Sequence, residues 1–350
     1  NNMSVQIKTI AVTGEKQTRI MDLATPDLNP EEVLVRVHAV ALCTLEKRIF
    51  LGEVKMPLPC TGGHEVSGEI AAAGPGVNAK RWPVGKRVAV RMLYSCGECH
   101  YCRTGRTNMC ERAQKKPVRE GLLIGPGGLC DYIIVKPQDL YPIADDITYE
   151  EAALTEPLAC CVHSVEKADL RFGDTVVVIG AGIMGLNHVM LCKKKGCRVI
   201  LSETDEKRRA LAVRLGADIV INPLEHDPVQ FVKSINDDCG ADCVFNTTPI
   251  PAVLQQAIAV AGKAGEVINY SSMHPDMPVS VSPQRLHSEE LVLAGSISPN
   301  EEDFYRANRL INYGIIDVKP FIAQTFGFED AQNAFEQAII PGTFRCIITN

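Results

Sequence analysis

Val176-Val177-Val178-Ile179 runs without a break into Gly180-Ala181-Gly182-Ile183-Met184-Gly185, and this junction limits the fold more than any other stretch. An apolar run with no polar alternation suits a strand covered on both faces. A G-x-G-x-x-G turn that leaves such a strand and opens a helix is a dinucleotide-binding turn. The first glycine permits the tight turn. The second lets backbone approach a pyrophosphate, which then lies at the helix N-terminus. Gly180, Gly182, Ile183, Met184 and Gly185 are therefore candidate cofactor-binding residues. Glu203 ends the next strand pattern, where a carboxylate accepts both ribose hydroxyls of NAD.

Strand and helix patterns alternate around that junction. Arg198 to Ser202 reads as a strand and Asp205 to Leu215 as a helix. Ile219-Val220-Ile221, Cys243-Val244-Phe245 and Val267-Ile268-Asn269-Tyr270 continue the strands, with helical segments near 228–236 and 250–261. Such alternation implies a parallel, doubly wound α/β sheet. Residues 1–150 differ: Val33 to Val40, Val66 to Ile70 and Arg87 to Val90 read as short strands between Gly/Pro turns, as in a partly open barrel. Tyr149 to Lys167 reads as helical with a break at Pro157. After residue 290 the pattern turns mixed again, with a helix near 303–313 and a closing strand at Cys346-Ile347-Ile348. A chain of 350 residues accommodates two domains. The expected division is 1–150, 151–290, and a return to the first domain over 291–350.

Cys96, Cys99, Cys102 and Cys110 follow the pattern C-x2-C-x2-C-x7-C. Four thiolates so close together suit a closed tetrahedral zinc site. Paired C-x-x-C steps also occur in iron–sulfur ligation, but the wide last gap and the lack of a following Cys-Pro favour zinc. The formal net charge of -6 argues against a nucleic-acid surface, because phosphate recognition needs clustered Lys and Arg. No apolar run reaches the roughly 20 residues of a membrane span, and no secretory leader is visible. A cytoplasmic setting is expected. There, 14 cysteines mean metal ligands and buried thiols.

A looser set has no local spacing rule. Cys43 ends the run Ala39-Val40-Ala41-Leu42, His64-Glu65 follows Gly62-Gly63, and Glu156-Pro157 lies where the pattern changes. With the four-cysteine loop and the glycine turn in the same order, Gly63-His64-Glu65-Val66-Ser67-Gly68 resembles the GHE-x-x-G signature of zinc-containing medium-chain dehydrogenases/reductases. The resemblance spans essentially the full length and is nearest the sorbitol and threonine dehydrogenase branch.

The resemblance implies a GroES-like catalytic domain, a Rossmann domain and a reactive zinc in the cleft between them. It also implies a small alcohol or polyol as substrate, and a homodimer or homotetramer. Cys43, His64, Glu65 and Glu156 would serve the catalytic zinc, while the four-cysteine zinc would be structural. Arg208 would lie near the adenosine ribose, and Arg345 would reach the pyrophosphate. One departure stands out. The family's Cys-Gly-Ser/Thr-Asp reads Cys43-Thr44-Leu45-Glu46 here, so Leu45 replaces the hydroxyl that relays the substrate proton. Thr44, one position away, and Glu156 are the candidates for that role. Two rival readings are a zinc-free reductase and a non-catalytic nucleotide-binding protein of the same fold.

Overall fold

The computed structural model describes residues 4–350, which open with a hairpin of β1 (Ser4–Gly14) and β2 (Gln17–Pro26). Then come β3 (Val33–Ala41), α1 (Thr44–Phe50), β4 (Glu65–Ala73), β5 (Arg87–Arg91) and α2 (His100–Arg103). They are followed by β6 (Tyr132–Val135), β7 (Leu140–Pro142), α3 (Tyr149–Ala153) and α4 (Thr155–Lys167). The middle of the chain alternates: β8 (Thr175–Ile179), α5 (Ile183–Lys194), β9 (Arg198–Ser202), α6 (Glu206–Arg214), β10 (Ile219–Ile221) and α7 (Pro228–Ile235). It continues with β11 (Ala241–Asn246), α8 (Pro251–Val260), β12 (Ala261–Asn269), α9 (Pro283–Ser288) and β13 (Val292–Gly295). The last elements are α10 (Glu301–Asn312), β14 (Ile322–Gly327), α11 (Ala331–Ala338) and β15 (Arg345–Thr349).

Two units result. The first runs to Ala159 and resumes over Asn300–Asn350; the second is Cys160–Pro299. Both divisions fall later in the chain than the pattern changes at 150 and 290. At the first, α4 begins within the first unit. At the second, β13 pairs in parallel register with β12 and stays with the second unit.

In the first unit the sheet order is β14-β15-β3-β4-β5-β7, with β6 also on β3. β3 shows the half-buried alternation the sequence announced, and Val33, Val35 and Val37 are fully buried. Phe50, Phe326 and Phe335 join these valines in one core. In the second unit six parallel strands run β10-β9-β8-β11-β12-β13. Every residue of β8 is buried, as its unbroken apolar run demands. The order reverses between β8 and β11, and the crevice at the carboxyl ends of those strands is where such sheets bind ligands.

Pro157 does not break the helix. The interruption falls at Leu154, which caps α3, and Pro157 sits in the first turn of α4. The first backbone N–H groups of a helix have no partner within it, so a proline there costs no hydrogen bond.

Candidate active site

Antiparallel pairing assembles the first metal set. Ala41 at the end of β3 lies opposite Glu65 at the start of β4. Cys43, two residues beyond the one, and His64, one residue before the other, therefore meet. Cys43 Sγ lies 3.2 Å from His64 Nε2. Cys43, His64 and Glu65 can place one ligand atom each within 4.8 Å of one another.

Glu46, unassigned in the sequence reading, organises this set. Cys43 is the N-cap of α1, and its sulfur accepts the Leu45 N–H at 3.2 Å. Glu46, three residues on, completes a capping box by accepting the Cys43 N–H through Oε2. Its Oε1 accepts the Gly63 N–H at 2.8 Å and lies 3.0 Å from His64 Nδ1. The imidazole is thus oriented with Nε2 toward Cys43. The adjoining glycine is obligatory: Gly63 has φ +92°, and a Cβ there would stand 2.5 Å from the Leu129 nitrogen.

Protonation follows from burial and charge. Burial, reinforced by the Glu46 charge, raises the Cys43 thiol to about 11. Burial alone would lower the His64 pKa, but Cys43 and Glu46 outweigh it and raise it well above the usual value. Burial alone would raise Glu46, yet the neighbouring His64 and its hydrogen bonds hold it at about 2. The set keeps protons that a cation would displace, the ordinary coupling of metal binding to proton release.

Arg345, the residue expected to reach the pyrophosphate, is hydrogen-bonded to a member of the metal set. Its guanidinium is buried in the first unit and grips Glu65, with Nε donating to Oε2 at 2.9 Å and Nη2 to Oε1 at 2.7 Å. Glu65 is wholly buried, and a bidentate arginine is the partner a buried carboxylate requires. Glu156 is buried too, close enough to act electrostatically on Arg345, but it stands outside the 4.8 Å ligand set. Thr44 and Leu45 are exposed on the first turn of α1.

Both sets fit zinc. With ordinary Zn–S and Zn–N bonds, a tetrahedral S···N edge is about 3.6 Å and an S···S edge about 3.8 Å. The Cys43–His64 separation of 3.2 Å and the Cys96–Cys102 separation of 4.0 Å approach those edges. Cys96, Cys99, Cys102 and Cys110 converge within 4.8 Å, with backbone N–H groups aimed at sulfur. Cys96 and Arg112 both donate to Cys110 Sγ, at 3.3 and 3.4 Å. Such donors favour thiolate: backbone bonds from Cys102 and Glu111 bring Cys99 down to about 6.

A buried arginine secures this loop. Arg91 donates to Glu301 at 2.9 Å and lies 3.5 Å from Asp139, while Thr107 donates to the other Glu301 oxygen at 2.7 Å. Burial raises the Asp139 carboxyl to about 6, against the pull of Arg91.

In the second unit, Gly182 caps α5 and Gly180 has φ +97°. Glu203 points at the turn: Oε2 accepts the Ala181 N–H at 2.7 Å, and Oε1 accepts the Asp205 N–H at 2.9 Å. The Arg208 backbone N–H is bound by the Asp205 cap. Arg209, which the sequence reading passed over, sends its guanidinium to the carbonyls of Glu203 and Thr204 at 2.8 and 2.6 Å.

Two protein families match successive parts of the chain. The alcohol dehydrogenase GroES-like domain family matches residues 29–145, and the zinc-binding dehydrogenase family matches 184–312. The D-arabitol-phosphate dehydrogenase of Enterococcus avium is 30% identical over 93% of this chain and 92% of its own. The sorbitol dehydrogenase of Bacillus subtilis is 30% identical over 95% and 94%. A solved structure described as a zinc-binding dehydrogenase from Sinorhizobium meliloti, bound to NADP, superposes with a TM-score of 0.88. It is 26% identical, and the match covers 99% of this chain and 100% of that one. The chain belongs to the zinc-containing medium-chain dehydrogenases/reductases, in the branch that includes sorbitol and threonine dehydrogenases. It is an oxidoreductase using zinc and a nicotinamide dinucleotide, so the zinc-free and non-catalytic readings fall away.

Proposed function

We propose that the chain oxidises a secondary alcohol on a small polyol, sugar, cyclitol or hydroxy amino acid. The carbinol carbon gives a hydride to oxidised NAD and its hydroxyl gives up a proton, so the products are a ketone, NADH and one proton. One observation carries this reading: Cys43, His64 and Glu65 converge, with Glu46 turning His64 toward Cys43. The names of the Enterococcus and Bacillus relatives support a polyol or its phosphate.

A zinc ion held there supplies Lewis-acid polarisation of the alcohol oxygen. Cys43 and His64 hold it, and Glu65 and Glu156 share the remaining protein position. Arg345 balances the Glu65 charge, so Glu65 would serve a zinc there while still paired with the guanidinium. Glu156 takes the alcohol proton, because Leu45 has none to exchange and this buried carboxylate is near enough to interact electrostatically with Arg345, the partner of Glu65. The four-cysteine zinc is structural, since four thiolates leave no open position.

In the second unit, the glycine turn and the N-terminus of α5 receive the pyrophosphate, with Ile183 and Met184 in the first helical turn. Glu203 accepts the free ribose hydroxyls and repels a 2′-phosphate, so NAD is preferred over NADP; Arg208 lies beside the ribose. The protein works as a homodimer or homotetramer. The outer edge of β13 supports this, since Val292 and Leu293 are exposed on that strand. A cytoplasmic setting is supported by 14 free cysteines. No helix among the described residues is long and apolar enough to cross a membrane.

The test is a panel of polyols, sugar acids and hydroxy amino acids with NAD and NADP, followed at the NADH absorbance band. Turnover of at least one alcohol that vanishes in Cys43→Ala is expected. No turnover by zinc-loaded protein with any of them would overturn the reading.

A further inference from the structure

The glycine turn is held in shape by a residue outside its own motif. Thr247, the first residue after β11, donates its backbone N–H to the Ile179 carbonyl at 3.0 Å. Its hydroxyl donates to the same carbonyl at 2.8 Å and lies 3.4 Å from the Gly180 carbonyl. That hydroxyl fills a notch left by two glycines. A Cβ on Gly180 would stand 2.8 Å from Thr247 Oγ1, and one on Gly185 would stand 2.9 Å from it. A Cβ on Gly185 would also come within 1.9 Å of the Gly180 oxygen, so strand end and helix are already as close as backbone permits.

A second layer ties together the residues on either side of Thr247, Asn246 and Thr248. Asn246 is fully buried, and its Oδ1 accepts the Thr248 N–H at 3.2 Å and hydroxyl at 2.9 Å. Its Nδ2 donates to the Thr248 carbonyl at 3.1 Å and to Asn269 Oδ1 at 2.9 Å. Asn269 Nδ2 then donates to the Ser271 carbonyl at 3.3 Å. The chain Thr248–Asn246–Asn269–Ser271 therefore runs along the carboxyl ends of β11 and β12, beside the reversal of strand order.

We propose that Thr247 is a positioning residue for dinucleotide binding. Its hydroxyl holds the Gly180–Gly185 turn in the form that receives the pyrophosphate, and the Asn246–Asn269 pair holds Thr247 in place. This rests on the dinucleotide reading of the turn. A preformed turn spares the cofactor the cost of ordering it on arrival. Thr247 touches no reacting atom, so its loss acts on cofactor affinity and leaves the chemical step alone.

The experiment compares wild type, Thr247→Val, Thr247→Ala and Thr247→Ser as zinc-loaded proteins. NAD affinity is read by titration of the bound-nucleotide signal, and kcat is read at saturating NAD. Val keeps the shape without the hydroxyl, Ala removes it without crowding, and Ser retains it. Val and Ala are expected to raise the NAD Kd roughly tenfold, as the net loss of one or two hydrogen bonds implies. Ser stays within about twofold of wild type, and kcat and zinc content do not change. Wild-type NAD affinity in both Val and Ala overturns the proposal. A loss in Ser equal to that in Ala also overturns it, since space-filling would then be the cause. Wild-type protein that binds no NAD refutes the dinucleotide reading itself, whereas wild-type binding with indifferent variants refutes only the role of Thr247.

Discussion

Glu46→Gln is the sharpest probe of the catalytic set. The carboxylate is wholly buried and receives Cys43 N–H, Gly63 N–H and His64 Nδ1 on two oxygens. Glutamine has the same shape but only one oxygen. If that oxygen faces Gly63 and His64, the new NH2 faces the Cys43 N–H, donor against donor. One charge-assisted bond of about 1.5–3 kcal/mol is lost, and the other two weaken because their acceptor is neutral. The site should be destabilised by roughly 3–5 kcal/mol. Removing a hydrogen-bond partner behind a metal-ligating histidine costs about 10–100-fold in metal affinity. The assay is competition with a chromophoric chelator. Wild-type protein should yield two zinc ions in two phases. In Glu46→Gln the weaker phase should shift by at least tenfold, while the four-cysteine phase stays put. Zinc release indistinguishable from wild type in both phases would refute Glu46 as the organiser of the site.

Elemental analysis should find two zinc ions per chain, falling to one in Cys43→Ala, which should still bind NAD because the two sites belong to different units. The ratio of kcat/KM for NAD to that for NADP should exceed one and fall in Glu203→Ala; a wild-type preference for NADP would refute the Glu203 argument. Glu156→Gln should keep its zinc but lose kcat across pH, and full activity would remove Glu156 as the proton carrier. Asp139 has a folded pKa near 6, above its ordinary 3.8, so its contribution to stability is present below about pH 4 and is lost as pH rises through 6. Asp139→Asn should therefore gain on wild type between pH 5 and 7.5, by on the order of 2 kcal/mol. Thermal unfolding of both proteins across that range checks the sign.

What could be read from the sequence depended on range along the chain. The strand–glycine–helix junction and the four-cysteine loop are local patterns, and each assembled where its spacing implied. Cys43 and His64 carry no shared spacing rule; antiparallel pairing of β3 with β4 brings them together. Glu46 had a local signal that was passed over: a carboxylate three residues after a helix N-cap is a capping-box position. Glu65 and Arg345 are 280 positions apart, and no periodicity joins them. The Asn246–Asn269 pair was equally hidden, because parallel register aligns those two residues only once the sheet exists.

β15 lies between β3 and β14; β6 covers β3 only over Val33–Arg36, so the end of β3 that leads to Cys43, Ala39–Ala41, acquires its second neighbour only when residues near 345 arrive. During synthesis at roughly 5–20 residues per second, the 280 residues separating Glu65 from Arg345 take about 15–60 s to emerge. For that interval the nascent sheet has an open edge at the Ala39–Ala41 end of β3 and a carboxylate destined for burial without its counter-charge. The zinc set therefore cannot mature in the order in which it is translated. The ribosome delivers Cys43, His64 and Glu65 early, and the whole second unit must pass before the arginine that completes them.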